Sequence, residues 1–142
     1  LKIDKSFVSG LVDDPSDLGD PTEAPLKIRF SGDGQRFFVD VVGLTTLSGR
    51  RAQLIHHLRP AFDADRQAGI AFADYRYTPN GKLAGMMEIN KNTVVQTVRR
   101  CRKEVADAFK ITLGTPPKRH RLIETRSPKG YRLEVDLKVL GV

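Results

Sequence analysis

The sequence predicts an α+β domain. Three patterns point to it: an amphipathic helix over residues 93–109, a hairpin over 26–42 and a second hairpin over 122–137. In the long helix Val94, Val98, Cys101, Val105 and Ala108/Phe109 recur at three- and four-residue intervals, which makes one apolar stripe. The two hairpins each pair alternating apolar runs across a turn containing Gly.

The elements follow in order. Residues 13–25 (DDPSDLGDPTEAP) are acidic, interrupted by Pro and Gly and poor in apolar side chains. Residues 1–25 are therefore expected to be an acidic flexible arm or linker, and 26–142 the folded domain. An apolar patch near the start, Ile3, Phe7, Val8 and Leu11, is placed to pack locally or on a partner. Leu26, Ile28 and Phe30 alternate, as do Phe37, Val39 and Val41, around Ser31-Gly32-Asp33-Gly34. Asp-Gly between extended runs predicts two antiparallel strands. Ser48 is a candidate cap for a helix over 48–59 with Ala52, Ile55 and Leu58 on one face and Leu54 at its margin. Pro60 is expected to end or kink that helix, leaving a short second one to Gln67 that stops near Gly69. Ile70–Tyr77 has the alternation of a short strand. Thr78-Pro79 opens a helical turn that buries Leu83, Met86 and Met87, and Asn92 is placed to cap the long helix. Lys110–Arg121 reads as a basic loop, and Leu122–Arg126 and Tyr131–Leu137 as strands flanking Ser127-Pro128-Lys129-Gly130.

A chain of 142 residues suits one domain and can bury a core without staples. No apolar run approaches the ~18 residues of a membrane span, and no signal-peptide pattern opens the sequence. The single cysteine excludes an intrachain disulfide and a cysteine-built zinc site. His56 and His57 are adjacent, about 100° apart on a helix, and do not converge on one metal. No nucleophile elbow or Gly-rich phosphate loop is present, so the expectation is a cytoplasmic protein that is not an enzyme and uses no cofactor or metal.

Charge is concentrated. The chain carries a net +7; residues 1–25 hold two lysines against six carboxylates, a net −4, and residues 76–132 hold 14 Lys/Arg against Glu88, Glu104, Asp107 and Glu124, a net +10. Such a block attracts polyanions. Burying the apolar stripe of the long helix turns Gln96, Arg99, Arg100 and Lys103 outward, with Val95 and Thr97 near the N-terminal edge. A helix fits the major groove, where Arg bonds guanine edges, Gln bonds adenine, and a methyl group touches thymine. The second hairpin sets Thr125, Arg126, Ser127, Lys129 and Arg132 around a tight turn, placed for phosphate or a minor groove. Expected base contacts are Gln96, Thr97, Arg100 and Lys103; expected phosphate contacts are Lys91, Arg99, Lys110, Lys118, Arg119 and Lys129.

On these residues the chain resembles the winged helix-turn-helix domains of the OmpR/PhoB type. Their long helix reads Val-x-x-x-Ile-x-x-Leu-Arg-x-x-Leu, matched by Val94, Val98, Cys101, Arg102 and Val105; their wing reads Ile-x-Thr-x-x-Gly-x-Gly-Tyr-x-Phe, matched by Ile123, Thr125, Gly130, Tyr131 and Leu133. Thr46–Leu54 looks like the start of that family's first helix, and the resemblance covers about residues 26–137. It implies a winged helix with an N-terminal β-hairpin, a three-helix core and a C-terminal wing. It also implies sequence-specific binding of double-stranded DNA in transcription regulation, with RNA polymerase or a partner regulator as protein contacts and a homodimer on DNA. Gln96, Thr97, Arg99, Arg100 and Lys103 take the DNA-facing role by position, and Thr125 and Arg126 belong to the wing. Pro128 replaces the usual first wing glycine, Arg126 stands one residue earlier than the family's arginine, and the stretch between the first helix and Leu83 is longer than usual. No receiver domain precedes the fold in this sequence, so phosphorylation control is not carried over. Leu1–Val8 looks like a strand-end segment of EAL-type cyclic-di-GMP phosphodiesterases, but about 14 residues leave no room for that barrel, and the match is expected to carry no activity. Two alternatives stand beside DNA binding: a winged helix used as a protein-contact module, and a protein responsive to cyclic dinucleotides.

Overall fold

A computed structural model describes residues 20–33 and 35–141. The Ile3, Phe7, Val8 and Leu11 patch, the cyclic-di-GMP-like segment and the acidic stretch up to residue 19 lie outside the described residues, as does Gly34 of the first turn. The fold is α+β, with three helices against a mixed sheet and a separate two-stranded hairpin.

Strands β1 (Lys27–Gly32) and β2 (Phe37–Val41) pair antiparallel, Ile28 opposite Val41 and Phe30 opposite Val39. The Asp33 carboxylate stabilises the turn by accepting from the backbone N–H groups of Gln35 and Arg36 at 3.2 and 2.9 Å, as Asx-turns do. The expected hairpin is half of a larger sheet. β3 (Thr45–Ser48) adds to β2, and β6 (Lys138–Leu140) returns to run parallel to β1, giving the order β3-β2-β1-β6.

Helix α1 runs unbroken from Gly49 to Gln67 through Pro60, where the sequence suggested an end or a kink. An interior proline costs about 3 kcal/mol through its missing N–H and its clash with the preceding turn. Ile55, Leu58 and Phe62 are all buried against the rest of the core, at the spacing of one helical face continued past the proline. Each such burial is worth about 1.5–3 kcal/mol, so packing outweighs the local break. Leu54 is fully buried, not marginal.

Ile70–Tyr77 does not form the expected strand. It contains one 3-10 turn, Phe72–Asp74, and only Thr78 bridges to Tyr131, with reciprocal backbone hydrogen bonds of 2.7 and 2.9 Å. Local backbone turns and side chains satisfy the backbone of this segment in place of a neighbouring strand. The carboxylate of buried Asp65 accepts from the Arg76 N–H at 2.7 Å, and Arg132 donates to the Tyr75 carbonyl at 2.7 Å.

Helix α2 (Asn80–Met87) buries Leu83, Ala84 and Met87, while Met86 is turned outward; the 83/84/87 stripe leaves position 86 on its far margin. Helix α3 (Lys91–Leu113) is longer than expected at both ends. Its cap is Asn90, not Asn92: the Asn90 Oδ1 accepts from the Thr93 N–H at 2.8 Å. Beyond Phe109 one exposed turn continues to Gly114, whose left-handed φ of 82° ends the helix. Strands β4 (Ile123–Arg126) and β5 (Gly130–Leu133) form the second hairpin, with Thr125 opposite Tyr131. β5 is shorter than expected because Glu134 turns inward and the chain then crosses to β6.

Candidate nucleic-acid interface

The buried stripe of α3 is Val94, Val98, Cys101, Val105, Ala108 and Phe109, as its periodicity predicts, joined by Thr97. Thr97 is a correction. It is 1% exposed and its hydroxyl donates to the Thr93 carbonyl at 2.7 Å, so it is not available to a base edge. Three residues after Val94, it falls on the core side of the helix. Burial also pushes the Cys101 thiol up to about 12 and keeps it protonated.

The opposite face carries Gln96, half-buried, and Arg99, Arg100 and Lys103, all exposed, with Lys91 and Lys110 exposed toward the two ends. Arg99, Arg100, Lys91 and Lys110 form no ion pair among the described residues. Lys103 differs: its ammonium lies 2.8 Å from the Asp107 carboxylate one turn on, and that hydrogen bond raises its pKa. Arg100 reaches toward the start of α1, where it borders a hollow of about 270 Å³ with Arg50 and Arg51.

The second hairpin stands beside α3 because Arg102 ties them. One Arg102 amino group donates to the Ile123 carbonyl at 2.9 Å and to the Thr125 hydroxyl oxygen. The Thr125 hydroxyl, expected at the DNA, therefore already holds α3 against the hairpin. Arg102 has no acidic partner among the described residues, and desolvation lowers its pKa. Arg126 and Lys129 are exposed at the hairpin tip and form no ion pair among the described residues. Arg132 is engaged: it pairs with Glu124 at 2.7 Å and lies over the Tyr77 ring at 4.3 Å.

The loop after α3 is the second correction. Lys118 and Arg119, expected as phosphate contacts, are both already paired with carboxylates. Lys118 sits 3.1 Å from Asp20, and Arg119 bonds Glu23 at 3.0 Å and Glu134 at 2.9 Å. Their partners come from the acidic stretch read as a linker. Its last part, Asp20–Ala24, is packed on the domain through a 3-10 turn, Pro21–Glu23, with Thr22 buried.

Sequence reasoning missed the centre of this cluster. Arg121 and Glu134 are both about 1% exposed and paired at 2.9 Å. Arg121 also donates to the carbonyls of Thr22 and Ala24, and Glu134 accepts from the Leu122 N–H. Leu122 has a left-handed φ of 77°, a conformation this carboxylate helps hold. The available signal was a pair of opposite charges, Arg121 directly before Leu122-Ile123 and Glu134 directly after Leu133.

Elsewhere, His56 is packed edge-on between Phe30 and Phe37, with its Nε2 3.1 Å from the Phe38 carbonyl. Burial lowers the pKa of His57. No group of acidic, His or Cys side chains among the described residues converges as a metal site. No described helix is long and apolar enough to cross a membrane. Comparison with protein-family models, curated proteins and solved structures finds no match to the chain.

Proposed function

We propose that the chain binds double-stranded DNA as a winged helix-turn-helix transcription regulator. α2 and α3 serve as the helix-turn-helix, and the β4–β5 hairpin as the wing. The observation that carries the reading is the outer face of α3: Arg99 and Arg100 are exposed beside half-buried Gln96, and neither arginine has an ion-pair partner among the described residues. Two features support it. A turn of Glu88, Ile89 and Asn90 joins α2 to α3, a length usual for helix-turn-helix units. The hairpin that carries exposed Arg126 and Lys129 is tied to α3 through Arg102.

In this reading α3 lies in the major groove. Arg100 and Gln96 contact base edges; Arg99, Lys91 and Lys110 contact phosphates; Arg126 and Lys129 reach the backbone or the minor groove. Lys103 reaches a base only by leaving Asp107. RNA polymerase or a partner regulator, and a second copy on DNA, are the protein contacts this reading calls for, and the cytoplasm its compartment.

Selection from random duplexes with the purified chain tests the reading. A consensus should emerge, and Arg100→Ala should weaken binding to it by about 1–3 kcal/mol while blurring preference at one position. No enrichment, together with affinity indifferent to Arg100, would overturn it.

A further inference from the structure

The long α1–α2 connection leaves a hollow against the hairpin, where Arg76, given no role above, joins the wing cations Arg126 and Lys129. It measures about 570 Å³, and its lining includes Asp74, Tyr75, Arg76, Tyr77, Arg126 and Lys129. We propose that this hollow is a binding subsite for a phosphodiester of duplex DNA flanking the segment read by α3, with Arg76, Arg126 and Lys129 as its donors. This inference rests on the DNA-binding reading and extends its footprint.

The hairpin and the connection that line the hollow are tied to each other at three points. Gly130 of the hairpin abuts the connection so closely that an added Cβ would stand 2.0 Å from the Thr78 carbonyl oxygen. Thr78 and Tyr131 exchange backbone hydrogen bonds there. Arg132 spans the junction, bonding Glu124 on the hairpin and the Tyr75 carbonyl on the connection. The position of Arg126 and Lys129 relative to Arg76 is thus set by the fold.

The donor set suits a phosphate. Arg126 and Lys129 have no ion-pair partner among the described residues. Arg76 is oriented from behind: its backbone N–H and its Nε both bond Asp65, at 2.7 and 2.9 Å. Asp65 is buried while the Arg76 side chain is 62% exposed, so the pair anchors the guanidinium and leaves donors facing outward. Asp74 is the opposing charge and keeps the hollow from being uniformly cationic. A planar guanidinium with two flanking cations matches the several oxygens of a phosphodiester, and a surface of this kind adds affinity without sequence preference.

Fluorescence anisotropy tests this with two mixed-sequence duplexes, one of about one helical turn (~10 base pairs) and one of about two turns (~20 base pairs). The full chain should gain affinity on the longer duplex. Arg76→Gln should remove that gain and lower the slope of log K against log salt by about 0.9, one phosphate's worth. Asp74→Asn, at an exposed side chain with no fold role, should tighten the longer complex about two- to five-fold at low salt, and it stands as the test if Arg76→Gln fails to fold. Both variants matching the parent in affinity and slope, while Arg100→Ala still weakens binding, would sink the subsite and leave the DNA reading intact. No binding of the parent to either duplex would sink both. Saturable, Arg76-dependent binding of adenosine monophosphate with an unchanged duplex slope would make this a free-nucleotide site and overturn the proposal.

Discussion

Arg121 and Glu134 show how one pair of charges can decide a local structure. Both side chains are removed from water, and each oxygen of Glu134 is used: by Arg121, by Arg119 and by the Leu122 N–H. Arg121 in turn fastens the turn at Thr22–Ala24 and faces the Phe109 ring at 5.7 Å. A buried pair of this kind adds little net stability over an apolar substitute, but removing one member strands the other. Glu134→Gln should therefore cost about 3–5 kcal/mol in urea unfolding, and Arg121→Met with Glu134→Leu should recover only part of that loss, because the Leu122 N–H and the Thr22 and Ala24 carbonyls then lose their partners. A single-variant loss below about 1 kcal/mol would show that water reaches the cluster. These residues were not legible in the sequence because a charge is normally a sign of the surface. The same prior placed Lys118 and Arg119 free in solvent, since their partners Asp20, Glu23 and Glu134 lie distant in sequence. Thr97 was misplaced for a different reason. Threonine reads as polar, yet its hydroxyl is satisfied within its own helix, which lets the methyl group face the core.

Among the elements, the hairpin depends most on one backbone position. Gly130 has a φ of 118°, open to glycine and strained for other residues, and it presses on Thr78 and Pro79. Gly130→Ala should detach the hairpin from the α1–α2 connection. Hydrogen exchange at the Thr78 and Tyr131 amides should accelerate markedly, while amides in α1 and α3 stay protected, because α1 and α3 also pack on each other, on α2 and on the four-stranded sheet. Uniform acceleration over the whole chain would instead mean that the hairpin is part of one cooperative unit. Local signals foretold this hairpin, the β1–β2 turn and the α3 stripe, since alternation, Gly and helical spacing act within a few residues. They failed where the decision was tertiary. Packing of Phe62 carried α1 past Pro60, Asp65 and Arg132 took the backbone groups of the supposed strand at 70–77, and β6 formed only because β1 offered a free edge. Of the candidate site, the outward residues of α3 and the hairpin tip followed from periodicity, while the pairing state of each cation did not.

At the scale of the whole molecule, a cation's contribution depends on whether the partner is far or near. The net charge of +7 acts at a distance, where an approaching polyanion senses the summed field and not individual pairs. Lys118→Gln and Arg99→Gln each remove one unit from that sum. Both should slow association with duplex DNA by similar factors at low salt, and both effects should shrink as the Debye length falls toward about 8 Å at physiological ionic strength. Dissociation should separate them. Arg99 lies on the open face of α3 with no ion-pair partner among the described residues, so its loss removes a phosphate contact and hastens release. Lys118 is already beside Asp20, and any contact it makes with DNA first requires leaving that carboxylate. Its replacement should leave the dissociation rate within about two-fold of the parent, in line with the small worth of an exposed pair. Stopped-flow association and competitor-chase dissociation measure the two rates independently. Equal acceleration of release by both variants would place the loop after α3 in the bound interface and enlarge the contact surface beyond the helix and hairpin. Faster release for Arg99→Gln alone would confine the contacts to the cations that the fold leaves unpaired.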